Sequence, residues 1–293
     1  MTSRDGFAPL TNDELLTAVS RHRVLLTPAA TFARYVVPRS GRIFVVDAVT
    51  ALCVNAGDVV RLLDAWPAGN RAAVIAVDPE LYTWDALTGA PSRGRARIPA
   101  GALVLSSTAL LLAQRLRRNQ PSEAPRTVPA VRLSGATDRS RLVMVFVRAL
   151  FSGTEDRSAT VAGRRRNPVR WRVLADAVKQ EIGAGPAAPH RIKDLAAQLD
   201  VSPFHLARVF RAETGLSIHQ YLLRLRMAAA LARLGDDSIS ISRLALDLGF
   251  SSHSHFTVAF QRLFGASPAS VRSALYAEDH ARVESGRGQL RHG

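Results

Sequence analysis

Residues 194–226 and 243–275 are two copies of one unit, and this repeat constrains the fold more than any other feature. Copy one runs Leu195-Ala196-Ala197-Gln198-Leu199, then Asp200-Val201-Ser202, then Pro203 to Phe210, with Gly215 and Ser217 beyond. Copy two runs Leu244-Ala245-Leu246-Asp247-Leu248, then Gly249-Phe250-Ser251-Ser252, then His253 to Phe260, with Gly265 and Ser267 beyond. The copies are offset by 49 residues before the central turn and by 50 after it, so the second turn holds one extra residue. In both, a short apolar-periodic stretch, a tight turn, a serine and a longer periodic stretch follow in order. That is a short helix, a turn and a longer helix, given twice.

Helix-turn-helix pairs of this kind place the second helix in the DNA major groove. In copy one, Ile192 to Leu199 is the first helix, and Ser202 is placed to cap the second, with Pro203 at its first helical position. Leu206, Val209 and Phe210 fall at core spacing. Phe204, Ala207, Arg208 and Arg211 share the opposite face. A guanidinium in that row can reach guanine O6 and N7 together, worth about 1–3 kcal/mol of base discrimination; a solvated helix face is the bland reading of the same row. In copy two, Ser252 caps a helix whose Phe256, Ala259, Phe260 and Leu263 face the core. His253, Ser254, Thr257, Val258 and Gln261 face outward. The stretch Ser217 to Leu234 reads as one helix joining the copies, which would let one chain meet two successive grooves about 34 Å apart.

These residues carry a family resemblance. Ile241-Ser242-Arg243-Leu244-Ala245, Gly249-Phe250-Ser251-Ser252-His253-Ser254-His255-Phe256, Phe260, Phe264-Gly265-Ala266-Ser267-Pro268 and Val271-Arg272 resemble the signature of the AraC/XylS bacterial transcription regulators. Copy one is similar over Ser202 to Phe210 and Glu213-Thr214-Gly215, as are Tyr221-Leu222, Arg226 and Ala229. The resemblance covers about residues 169–274. It implies Phe204, Arg208 and Arg211 as major-groove positions in copy one, and His253, Ser254, Thr257 and Val258 in copy two. His205, Ser252 and Gln261 complete the candidate DNA-binding set. Several members of the family have arginine where Val258 stands, so the second copy is expected to read weakly or to serve phosphate and RNA polymerase contacts. The family also implies a cupin-like amino-terminal barrel that binds a small-molecule effector and forms a homodimer.

The rest of the chain fits that division. Residues 20–80 read as β-rich: a hairpin of Arg34–Pro38 and Ile43–Asp47, a turn at Asn55–Asp58 leading into Val59–Leu63, and a strand at Ala72–Ala76. Short strands at this spacing suggest an antiparallel sandwich or barrel. Leu110–Arg118 and Arg139–Phe151 read as helices that either form a dimer seam or pack on their own sheet. The expected fold class is α+β. Residues 1–152 form a cupin-like jelly-roll domain with two helices, 153–168 a linker, 169–276 an all-α domain with two helix-turn-helix units joined by a long helix, and 277–293 a disordered tail. The all-α domain is expected to have its own core, from Leu195, Leu199, Phe210, Leu244, Leu248, Phe256 and Phe260.

Charge and composition narrow the function classes. The net charge is +15, and all but two of the 39 basic residues are arginine. That favours a polyanionic partner, here double-stranded DNA, although GC-rich coding would bias composition the same way. His22 is the only histidine before His190, and Cys53 is the only cysteine. A metal cupin needs clustered histidines with a carboxylate, so no metal, cofactor or catalytic residue is expected. Cys53 reads as a buried structural thiol. Asp47, Asp58, Asp64, Asp78 and Asp85 read as turn and cap residues, and Trp66, Tyr82 and Trp84 as aromatic core in preference to the lining of an effector pocket. No secretory leader or membrane span is read, and a cytoplasmic location is expected. The alternatives are a cupin-type enzyme fused to a reader and an effector-independent architectural DNA binder.

Overall fold

The computed structural model describes residues 22–27, 32–38, 40–55, 57–66, 73–77, 101–118, 138–151 and 168–277. Strands fill the first part of the chain: β1 His22–Leu26, β2 Phe32–Val37, β3 Arg42–Asp47, β4 Thr50–Val54, β5 Arg61–Trp66, β6 Ala73–Val77 and β7 Gly101–Val104. They form two antiparallel sheets, ordered β6-β1-β4-β7 and β3-β2-β5. The expected hairpin is β2 with β3, in register from Phe32 opposite Asp47 to Val37 opposite Arg42. Alternation of side chains along each strand explains the packing. Leu25, Ala33, Tyr35, Phe44, Val46, Leu52 and Val54 make one buried cluster between the sheets. Val24, Leu26, Ala51, Cys53 and Ile75 belong to a second cluster, with the helices that follow. All five residues of β4 are buried, as a strand covered on both faces requires.

Those helices are α1 Ser107–Arg118 and α2 Asp138–Phe151. Ala109, Leu110, Ala113, Leu116, Val143, Phe146, Val147 and Phe151 join them to the four-stranded sheet. Packing on their own sheet is therefore the reading that holds for their buried face. Two expectations need correction. Trp66 is 56% exposed rather than core, because β5 is an edge strand that leaves most of its side chains in solvent. The strand after the Asn55–Asp58 turn starts at Arg61, not Val59. Tyr82, Trp84, Asp78 and Asp85 lie outside the described residues, as do most of the linker and the tail.

Helices fill the remainder: α3 Pro168–Ala184, α4 Ile192–Gln198, α5 Pro203–Thr214, α6 Ile218–Arg233, α7 Ile241–Asp247 and α8 His253–Phe264, then α9 over 268–277. The two repeats do not share one core. Met227, Leu231, Leu244, Leu248, Phe256 and Phe260 make a cluster of their own. Leu195, Leu206, Phe210, Tyr221 and Leu225 instead join Val178 and Ile182 of α3 in the cluster that holds the strands and α1. The first unit is thus packed into the amino-terminal half, while the second has its own buried cluster, against which Leu111 of α1 also packs.

A polar cluster sits where the halves meet. The phenol of Tyr221, fully buried on α6, donates to Asp47 Oδ2 at 2.7 Å and lies 2.7 Å from Thr50 Oγ1. Because the phenol has one proton and gives it to Asp47, the Thr50 hydroxyl donates to the phenolic oxygen. Asp47 Oδ1 accepts from the Val49 amide at 3.0 Å, which is the turn role expected of it. Burial pushes the Asp47 carboxyl up, against the pull of the Lys179 ammonium and of these hydrogen bonds. Asp64 pairs instead with Arg34 across the β2–β5 edge.

Candidate nucleic-acid interface

The two units are built by matching local devices. At the first turn Asp200 has φ 51°, and at the second Gly249 has φ 78°, 49 residues later. The amide two residues after each short helix's cap closes the same bond: Val201 N–H to Ala196 O at 3.0 Å, and Phe250 N–H to Ala245 O at 3.0 Å. Ser202 Oγ accepts from the His205 amide, and Ser252 Oγ from the His255 amide, so each long helix starts on a serine cap. Each long helix ends on a left-handed glycine, Gly215 and Gly265. The extra residue of copy two lies between the turn glycine and the cap.

Arg226 locks the second turn to the rest of the domain. Its guanidinium donates to Pro186 O at 2.7 Å, Gly249 O at 3.0 Å, Ala188 O at 3.1 Å and Ala187 O at 3.4 Å. It also stands 5.7 Å from the Phe250 ring centroid. Arg272 does similar work lower down, donating to Leu234 O and Ile239 O. These family-signature arginines act inside the protein rather than as readers.

The outward rows are left bare. On α5, Phe204 is 79% exposed, Arg208 and Arg211 are exposed, and His205 is half-buried. On α8, His253, Ser254 and Gln261 are exposed, Val258 is 65% exposed, and Thr257 is half-buried. Thr257 Oγ1 lies 3.4 Å from His253 Nε2, and His253 Nδ1 lies 3.4 Å from Ser242 Oγ on α7. Ser252 is exposed, but its hydroxyl oxygen is engaged by the cap. The two rows belong to different helices, and α6 lies between them in the chain. At 16 residues, α6 spans about 24 Å by its rise per residue.

One neighbour of the first row has no signal in the repeat. Trp171, in the first turn of α3, stands perpendicular to the His205 ring with centroids 6.4 Å apart. The Arg208 guanidinium lies 5.9 Å from the centroid of the Trp171 ring and 3.3 Å from His205 Nδ1. In the sequence, Trp171 lies outside both copies, and only its place beside Arg170 and Arg172 sets it apart.

A helix-turn-helix domain family matches residues 195–274. The chain is 34% identical over 98 residues to the Msm operon regulatory protein of Streptococcus mutans, a match covering 33% of this chain and 35% of that protein. It is 33% identical over 119 residues to the transcriptional activator RhaR of Pectobacterium carotovorum, covering 39% and 42%. A solved regulator from Chromobacterium violaceum with an AraC-type DNA-binding domain shares 28% identity, over 35% of this chain and 92% of that one, at a TM-score of 0.34. Residues 195–274 therefore match an AraC-type helix-turn-helix domain. The matches span a third to two fifths of the length of these curated relatives. The AraC-type domain is the part they share with it, and the strands before α1 lie outside the family match. Among the described residues, no helix is long and apolar enough to cross a membrane.

Proposed function

We propose that the chain is a sequence-specific transcription regulator that inserts α5 and α8 into successive major grooves of double-stranded DNA. One observation carries this reading. The same capped helix is presented twice, and each copy leaves an outward row of side chains in solvent while its other face is buried. Phe204, His205, Arg208 and Arg211 are the readers of the first groove. Ser252, His253, Ser254, Thr257, Val258 and Gln261 face the second, where no guanidinium replaces Val258. Arg208 carries the strongest base contact, because a planar fork can engage guanine bidentately.

Residues 1–152 form the regulatory half, a cupin-like sandwich that takes a small effector and pairs with a second copy, and residues 169–276 form the reader. Support for an effector comes from a cleft of about 350 Å³ at one end of the sandwich, lined by Val37, Arg42, Phe44, Leu52 and Val54 among others. Support for regulation comes from the Asp47–Tyr221–Thr50 cluster, which ties that sandwich directly to the helix joining the two readers.

The test is selection from a random-sequence duplex pool by the full chain, followed by titration of the selected duplex at several salt concentrations. A bipartite motif with its halves about one helical turn apart is expected, with affinity falling by about 10³–10⁵ between 50 and 200 mM salt if roughly 6–10 phosphates are neutralised. In the Arg208→Ala variant one base pair of one half should lose its preference. Recovery of no motif, or binding indifferent to salt, would count against the reading.

A further inference from the structure

We infer that Trp171 is a positioning residue for the first recognition helix, holding Arg208 and His205 in the arrangement that reads DNA. The inference rests on the DNA-reading role proposed above for α5. Arg208 is exposed on a helix face, and a long guanidinium side chain in solvent samples many rotamers. Here two neighbours restrict it. The Trp171 ring lies within cation–π range at 5.9 Å, and the His205 ring nitrogen lies 3.3 Å from Nη2. His205 is itself steadied by a T-shaped contact with the same tryptophan. One ring therefore organises two adjacent members of the candidate row.

The ring has a rigid mount. Val178 and Ile182 of α3 are fully buried beside Phe210 and Tyr221, so α3 is anchored against α5 and α6. At its far end, Gly183 lies against the Phe32 ring of β2. A pre-ordered guanidinium loses less freedom when it binds, and the gain is confined to the base that Arg208 meets. This separates a positioning role from a structural one. Loss of a merely structural contact weakens the first half-site at every base pair that α5 meets. Loss of positioning removes preference at one base pair and leaves the second half-site as it was. The second unit offers a built-in control, because no tryptophan stands over α8 among the described residues.

The experiment compares motifs selected from a random-sequence duplex pool by the full-length wild type, Trp171→Ala, Trp171→Phe, Arg208→Ala and the Trp171→Ala/Arg208→Ala double variant. Each protein is then titrated on the wild-type motif and on duplexes mutated in one half. Trp171→Ala is expected to cost roughly two- to fivefold on the wild-type motif. It should flatten the base pair that Arg208→Ala flattens, and add little in the double variant. Trp171→Phe, which keeps an aromatic face, should restore part of that preference. A loss spread evenly over the base pairs of the first half, an additive double variant or no rescue by phenylalanine would overturn the inference. So would an unchanged motif in Trp171→Ala. If no protein in the set, wild type included, selects a motif, the DNA-reading role itself fails, which is a distinguishable result.

Discussion

Replacing Gly249 with alanine tests whether the two turns are equivalent in backbone but not in surroundings. Both turns hold a residue at positive φ, Asp200 in the first and Gly249 in the second. A side chain at Asp200 shows that this conformation alone is tolerable; left-handed backbone costs a non-glycine residue about 1–2 kcal/mol. Gly249 is different because of what faces it. A Cβ there would lie 2.1 Å from the Ala187 carbonyl oxygen and 3.1 Å from the Arg226 guanidinium. The first is backbone and cannot swing aside. Moving it pulls Ala187 and its neighbours from Arg226, whose hydrogen bonds to Pro186, Ala187 and Ala188 secure that loop. Disrupting one bond to a charged donor costs about 1.5–3 kcal/mol. Gly249→Ala should therefore destabilise the second unit by about 2.5–5 kcal/mol, combining the strain with the lost bond. Asp200→Gly should be neutral or stabilise by up to about 1 kcal/mol. Urea denaturation of the full chain measures both, and duplexes carrying one half-site report which reader is lost. A Gly249→Ala protein within about 1 kcal/mol of wild type would refute the account of the turn.

Two further expectations concern the cluster between the halves. Tyr221→Phe removes the phenol that serves Asp47 and Thr50 while keeping the ring against Phe210, so it should destabilise by about 1–3 kcal/mol without changing the selected base preferences; an unaltered denaturation midpoint would refute the hydrogen-bond assignment. The folded state raises the Asp47 carboxyl above its ordinary value, mainly by burial. Its contribution is therefore fully present below the unfolded-state value near 3.8 and is lost as pH rises through the folded-state value. Asp47→Asn, which cannot titrate, should lack that component, so the variant should gain relative stability as pH rises from acid toward neutral; identical pH profiles of the denaturation midpoint would contradict this.

What the sequence discloses about this protein is what is local. Ser202, Gly215, Ser252 and Gly265 mark helix ends through bonds made within four residues, and the spacing of Leu206, Phe210, Phe256 and Phe260 shows which side is buried. The outward rows follow from the same spacing. The contacts that organise those rows across the chain are not readable this way. Asp47 and Tyr221 are 174 residues apart, and nothing in either neighbourhood indicates that a turn aspartate would also accept from a phenol. Trp171 and Arg208 are likewise joined only by the packing of α3 on α5. Trp66 shows the opposite error. An aromatic residue in a β-rich stretch suggests core, but edge position, which is decided by strand order, leaves it in solvent.

The separate interiors of the two readers mean that this protein's seams of disassembly do not follow its sequence repeat. Leu206 and Phe210 share an interior with β1, β4 and α1, whereas Phe256 and Phe260 share theirs with Leu231 and Leu244. Cooperative opening follows shared packing. The first reader is therefore expected to open together with the sandwich, and the second, although Leu111 of α1 packs against it, to open more readily. Anything that tightens the sandwich slows amide exchange in α5 far more than in α8. Two helices alike in sequence and cap thus come to differ in lifetime.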